Sequence, residues 1–422
     1  MWRHPGRLRL GVLALAAASA CKGRIDATSA GERSGDASTG DSGGSSSGGG
    51  AAGDDAGACA VDVPSGSGSC GTGQLVAAPT STIVTPDPWP LNPVLAGSLA
   101  SDEYLAVWTD GNVRAPVWAS LIQPGVSGIT LSPIIELSST GACPVAIWTG
   151  AGFAVVWTDG SGLRLQQLNA QGGPIGSPAA LLSGPSGMCP TSLVSTGAGL
   201  AVAWSTSTPT PQGEAIVSES VALIDASGTA STPILLDTVG PGVAANVALA
   251  ELGGQTYVAF VQWPDTSATT AVSRIDGSLG AAVPQATVPG FFQSFVAAGG
   301  QLWLGMGGGG GPLLYTALRG APFQSAGQGC SAIDDLAVDG CGQLAGLGNA
   351  GFNPGGTAAF YAQSFGGGGS TLSLGAMSES ALAGAASTFG VLWFARIGPG
   401  GGPAGDDAQQ TGTLSFTTLS RE

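Results

Sequence analysis

Few side chains in this chain could do chemistry, and their spacing limits what that chemistry could be. Gly40-Asp41-Ser42-Gly43-Gly44 spells a serine-nucleophile motif. An activated serine needs a neighbouring base, and the single histidine, His4, lies in a segment that reads as a removable leader. Gly346-Leu347-Gly348-Asn349-Ala350-Gly351 fits G-x-G-x-x-G, but no helical pattern follows it and no strand–helix–strand unit surrounds it. The Gly307–Gly311 run reads as a loop and not as a phosphate cradle. Zinc held by cysteines needs C-x₂-C-like spacing, whereas the closest pair, Cys59 and Cys70, stand eleven positions apart.

Carboxylates are the remaining reactive set. Asp102, Glu103, Glu251, Asp334 and Asp335 fall near strand ends. Two of them at the mouth of a channel could serve glycoside hydrolysis, which requires a pair at a defined separation. The simpler reading makes them solvated turn residues. Asp110 and Asp159, each followed by glycine, are read as turn residues first and ligands second. The ten tryptophans could stack on sugar rings, but most sit inside apolar strand-like runs and are expected in a core. Trp89 and Trp118 are the least committed to one.

The chain has 422 residues, of which 9% are charged and 43% apolar, with 73 Gly and 27 Pro. That composition suits many short strands joined by Gly/Pro turns. The net charge of −15, with Lys22 the only lysine, excludes nucleic acid as a partner. It also excludes a basic patch for anionic lipid.

Residues 1–21 read as a secretory leader: Arg3, Arg7 and Arg9, then a short apolar core, then small residues before Cys21. Two cleavages are open. Ala18-Ser19-Ala20 fits an ordinary site that releases a soluble, secreted protein. The same residues followed by Cys21 resemble a bacterial lipobox, although Ala18 stands where that family usually has leucine. Removing Cys21 from seven cysteines leaves six, an even number that suits an oxidising compartment and favours lipidation. By the same resemblance, Lys22 gives no inner-membrane retention signal, so the outer membrane or cell surface is expected, with the lipid as the membrane contact. Residues 22–72 are Gly/Ser/Asp-rich and cannot bury enough surface to fold. They are expected to be disordered, a tether with a reach of roughly 40 Å for fifty residues.

From residue 73 the sequence repeats. YLAVWTDG (104–111) matches FAVVWTDG (153–160), with LAVAWS (200–205) as a third copy and weaker copies near 257, 301, 343 and 389. Each copy is preceded by a strand-like run and followed by another that ends in a large apolar residue. Those ends are Leu121, Leu168, Leu223, Ile275, Leu318, Phe365 and Leu419, at spacings from 43 to 55 residues. Such periods are what a β-propeller produces. The last unit lacks a fourth strand, while residues 73–84 form an orphan one. Residues 73–422 are therefore expected to be an all-β, seven-bladed β-propeller closed by an N-terminal strand that completes the last blade. Tandem β-sandwiches are the alternative, but they need no such exchange between termini.

Cys143-Pro144 and Cys189-Pro190 occupy one position in consecutive units, so Cys143–Cys189 is expected as a disulfide. Cys59–Cys70 would close a small loop at the end of the tether. Cys330 and Cys341 are left over, and a strand at 332–338 would hold its ends roughly 23 Å apart, beyond the reach of about 7 Å that a disulfide allows.

In this repeat pattern the chain resembles lipid-anchored β-propeller proteins of Gram-negative bacteria. WD40, kelch, Asp-box and D-x-D-x-D-G motifs are absent, so the resemblance carries no active site with it. The function expected is a non-enzymatic, monomeric binding or scaffolding module for a protein or glycan outside the cytoplasm, without cofactor or metal. The alternative is a carbohydrate-active propeller enzyme using carboxylates at the channel mouth.

Overall fold

The computed structural model describes residues 75–86, 90–110, 115–125, 128–185, 187–211, 215–240, 246–264, 267–278, 280–307, 314–327, 332–352, 358–365, 371–377, 379–397 and 411–421. The leader, the tether, Cys21, Cys59, Cys70, Trp89 and Cys330 lie outside them. Among the described residues every regular element is a β-strand, and no helix is long and apolar enough to cross a membrane.

The strands form antiparallel sheets in chain order. β1 (Leu75–Ala77) and β2 (Ser81–Ile83) come first. The first repeat is β3 (Pro90–Gly97), β4 (Tyr104–Asp110) and β5 (Ala115–Gly125), with β6 (Gly128–Leu131) as a short flap on β5, and it is completed by the opening half of β7 (Ile135–Trp148). The second half of β7 begins the next repeat with β8 (Gly152–Thr158), β9 (Gly162–Asn169) and β10 (Pro174–Ser183). Four separate four-stranded sheets follow. These are β11 (Met188–Thr196), β12 (Gly199–Pro209), β13 (Ala215–Asp225) and β14 (Ile234–Val239); then β15 (Val247–Leu252), β16 (Gln255–Gln262), β17 (Thr269–Asp276) and β18 (Ala281–Pro289). Next come β19 (Phe292–Ala298), β20 (Gln301–Met306), β21 (Leu314–Leu318) and β22 (Gln324–Gly327); then β23 (Ala332–Val338), β24 (Leu344–Phe352), β25 (Ala358–Phe365) and β26 (Thr371–Met377). The last group is β27 (Glu379–Gly384), β28 (Phe389–Ile397) and β29 (Thr411–Arg421).

One difference from the sequence reading is the fusion of two expected strands into β7. Gly141 is the pivot. A Cβ there would lie 2.5 Å from Val117 Cγ2 and 2.8 Å from Trp157 Cδ1, so only glycine lets the strand run on between two sheets. The result is a single eight-stranded sheet where two of four were expected.

The first strands of successive repeats touch in order, β3, β7, β11, β15, β19, β23 and β27, and β27 returns to β3. At the chain ends, Leu75–Ala77 pairs with Arg421–Leu419 and Ser81–Ile83 with Phe416–Leu414. The break between β1 and β2 falls at Pro79, which has no N–H to give to a ladder.

Apolar clusters fill the space between consecutive sheets. Val107, Leu121, Phe153 and Trp157 join the first two repeats; Val156, Leu193 and Trp204 join the next two. Tyr104, Trp108, Leu392 and Phe416 pack the last repeat against the first, with the Tyr104 and Phe416 rings 5.4 Å apart. Because each sheet is covered on both faces, second strands read as unbroken apolar runs, and all seven positions of β8 are buried. Trp108, Trp157 and Trp303 are fully buried, whereas Trp118 is half-buried at the edge of a cluster.

Polar side chains tie the innermost strands together. Ser192 Oγ accepts the Leu249 N–H at 3.0 Å, and Ser294 Oγ accepts the Leu336 N–H at 3.0 Å. Each acceptor follows a β-bulge on its own strand. A first strand has one ladder edge without a neighbour, and these side chains satisfy it. Cys143 and Cys189 are disulfide-bonded with their Cα atoms 5.5 Å apart, joining β7 to β11 across one seam. Cys341 is disulfide-bonded as well.

Candidate functional site

Within each repeat, the first–second and third–fourth strand turns lie at one end of the sheet. The second–third turn and the crossover to the next repeat lie at the other. This separates the acids singled out in the sequence. Asp102 and Glu103 sit in the β3–β4 turn and Glu251 near the β15–β16 turn, while Asp334 and Asp335 lie near the start of β23.

Each of these acids with a described partner is committed to the fold. Asp102 accepts the Ser387 N–H at 2.8 Å, the Ser387 hydroxyl at 2.8 Å and the Thr388 hydroxyl at 2.9 Å. Glu103 accepts from the Ser101 hydroxyl and, at 2.6 Å, from Gln123 Nε2. Glu251 accepts the Gly254 N–H inside its own turn. Asp335 follows the bulge in β23; it accepts the Leu336 N–H and the Ser294 hydroxyl through Oδ1, and the Leu382 N–H at 3.0 Å through Oδ2. The sequence grouped these residues as channel-mouth candidates, and the fold spreads them over different turns and seams.

Asp159 behaves as a turn residue. Burial raises its pKa, but hydrogen bonds from the Ser161 hydroxyl and N–H outweigh that, and with the Arg164 guanidinium at 2.6 Å they bring it down to about 2. Asp225 is held down first by the Ser227 hydroxyl and then by the Thr229 N–H. Asn169, Asp225 and Asp276 occupy one position of the third–fourth turn in three successive repeats, and each accepts the N–H two residues on. That pattern shows in the sequence as Asn or Asp two residues before Gln or Ser. Gly346 and Gly348 lie inside β24, paired on both sides, so their motif forms no phosphate loop.

The concave feature at the turn end is a cleft of about 310 Å³ between the second and third repeats. Phe153, Leu168, Leu200 and Ile224 line its apolar part, with Thr149, Gln167, Ser195 and Thr196 around them. A second hollow, lined by Leu99, Trp148, Thr149 and Ser195, shares two of those residues and extends the cleft toward the first strands. Trp148 is half-buried and packs edge-on against Phe153, ring centroids 4.9 Å apart. Leu99 and Ile175 stay about half exposed beside it. The groove thus offers an aromatic ring, apolar side chains, an amide and hydroxyls; its one carboxylate, Asp225, is engaged by its own turn. Among the described residues no three His, Cys, Asp or Glu side chains come together.

The sequence reading missed Trp148 because it lies in a run expected to be core. The available signal was its place at the last residue of a first strand, next to a turn.

No family model matches this chain, and no curated protein matches it. Solved structures with a similar fold include the subtype N11 neuraminidase-like protein of a flat-faced bat isolate (H18N11), at 14% identity and a TM-score of 0.44, covering 85% of this chain and 97% of that one. Phage phi92 endosialidase matches at 9% identity and a TM-score of 0.45, covering 83% and 70%. A quinonprotein alcohol dehydrogenase-like protein of Bacteroides thetaiotaomicron matches at 10% identity and a TM-score of 0.42, covering 68% of each. At these levels the likeness carries neither activity nor substrate to this chain.

Proposed function

We propose that the chain is a non-enzymatic β-propeller of seven blades, closed by its N-terminal strands and acting as a binding or scaffolding module outside the cytoplasm. The groove between the second and third repeats is its ligand contact. The observation that carries this reading is the commitment of the candidate acids. A glycosidase must keep two carboxylates free at a set separation, whereas Asp102, Glu103, Glu251 and Asp335 each accept hydrogen bonds within their own turns or seams. A binding surface asks only for varied turns on a rigid frame, and the groove supplies them. In this reading the leader and Cys21 export and anchor the chain, and the tether holds the propeller away from the membrane.

A glycan array and a pull-down with the full chain test the reading, with Trp148→Ala as the comparison. Binding by the wild type that weakens about tenfold in the variant is expected, from the loss of one stacking anchor. Equal binding by both proteins would remove the groove from the proposal. Turnover of aryl glycosides by the wild type would replace the binder with the carbohydrate-active enzyme.

A further inference from the structure

Glu219 is a buried acid that the fold does not require. It lies on β13 with no exposed surface, and neither carboxylate oxygen has a hydrogen-bond partner. The registers identify its counterparts in other repeats. Glu219 sits opposite Ser205, which follows the conserved-position tryptophan of the repeat at Trp204; the equivalents Thr109, Thr158 and Phe394 sit opposite Val117, Leu163 and Leu414. Those three are fully buried apolar side chains. The third repeat therefore places a carboxylate where its neighbours place core.

Its surroundings carry further oxygen. Ser205, Glu219 and Asp237 stand in one row across β12, β13 and β14. Directly opposed residues on adjacent strands have Cβ atoms about 5 Å apart on one face. A bulge at Leu236 brings Asp237 into that row. The row faces the fourth repeat, since Ala203 and Val221, two residues along on the same face, pack against Val247, Val258 and Phe260. Asp237 Oδ1 accepts the Thr238 N–H, which leaves its other oxygen for the row. Burial pushes the Glu219 carboxyl up, the charge of Asp237 pushes it the same way, and only the Asn246 backbone N–H works against them; no arginine or lysine is among the groups that act on it. A doubled negative charge sealed in a seam calls for a positive partner.

We propose that Ser205, Glu219 and Asp237 hold a divalent cation of the hard, oxygen-preferring class, with Ca²⁺ as the ion that fits, at the seam between the third and fourth repeats. The donor set contains oxygen alone, which Ca²⁺ takes from carboxylates, hydroxyls and water, and it lacks the nitrogen or sulfur that zinc prefers. Glu219 supplies two oxygens from the closed side, Asp237 one from the half-open side and Ser205 one from the second strand. The ion would clamp this seam as Cys143–Cys189 clamps the preceding one.

The test is thermal unfolding of the full chain in EDTA and in Ca²⁺, at constant ionic strength, for wild type, Glu219→Gln and Asp237→Asn. A Ca²⁺ concentration a hundredfold above Kd should raise the wild-type Tm by about 4 °C for a protein of this size. Isothermal titration should find one site. Both variants should lose the shift, and Glu219→Gln in EDTA should melt no lower than wild type, because a buried charge has been removed. No Ca²⁺ shift in the wild type would overturn the proposal. A shift that survives in Glu219→Gln would also overturn it, since that result reports screening of the net charge and not a site. Asp237→Asn alone serves the same decision if Glu219→Gln fails to fold.

Discussion

Replacing Asp335 by alanine separates a structural acid from a catalytic one. Its carboxylate links three first strands: the Ser294 hydroxyl on β19 at 3.2 Å, the Leu336 N–H on its own strand at 2.9 Å and the Leu382 N–H on β27 at 3.0 Å. Alanine removes a charge-assisted hydrogen bond to the next repeat and leaves the Leu382 amide unpaired. The first loss is worth about 1.5–3 kcal/mol and the second about 1–3 kcal/mol; because Asp335 is only part-buried, we take about 3 kcal/mol for the sum. Over a protein of this size that is a fall in Tm of about 4 °C. Asp335→Asn keeps an oxygen acceptor and should lose about half as much. The assay is calorimetric unfolding together with ligand capture by each variant. The reasoning is refuted if Asp335→Ala melts with the wild type, and most directly if it does so while losing binding or turnover. That outcome would return Asp335 to a functional site.

Two other perturbations have clear expected outcomes. Replacing both Cys143 and Cys189 by alanine opens a loop of sequence separation 46, which should cost about 4 kcal/mol of stability if loop entropy governs; denaturant midpoints of the variant and of reduced wild type should agree. Metabolic labelling with a fatty-acid analogue should mark the wild type and not Cys21→Ala, and equal labelling of both would dispose of the anchor.

The repeat was legible because one physical demand recurs. A second strand covered on both faces must be apolar along its length, so AVVW and its copies mark a strand wherever they occur. The Cys143–Cys189 pair was legible for the same reason, as two cysteines at one position of adjacent units. The roles of the acids were not. Asp102 is held by Ser387 and Thr388, some 285 positions away, and Asp335 by Leu382, one repeat on. A carboxylate near a strand end looks the same in sequence whether water or a neighbouring repeat receives it. The β7 fusion was hidden too, because it depends on the space around Gly141 and not on any local turn signal. Glu219 is a different case. Aligning third strands would have set it against Val117 and Leu163, a discord visible without coordinates.

The polar ties also fall where the ring needs them. Every seam but one is spanned by a covalent crossover, so the two sheets it joins cannot drift apart. The seam between the last repeat and the first has no such link, and loop-closure entropy works against it in full. Here the fold adds Asp102 to Ser387 and Thr388, the Tyr104 hydroxyl to Thr388 at 2.7 Å, the Ala386 N–H to the Ser101 carbonyl, and Thr417 to the Ala78 carbonyl at 2.7 Å. Tyr104 brings its ring into the same seam's apolar cluster, where burial raises the pKa of its hydroxyl and keeps it a neutral hydrogen-bonding group. A propeller that had to recruit ligand through loose turns at one end would gain most from polar closure of this kind, because the turns can vary only while the sheets beneath them stay in register.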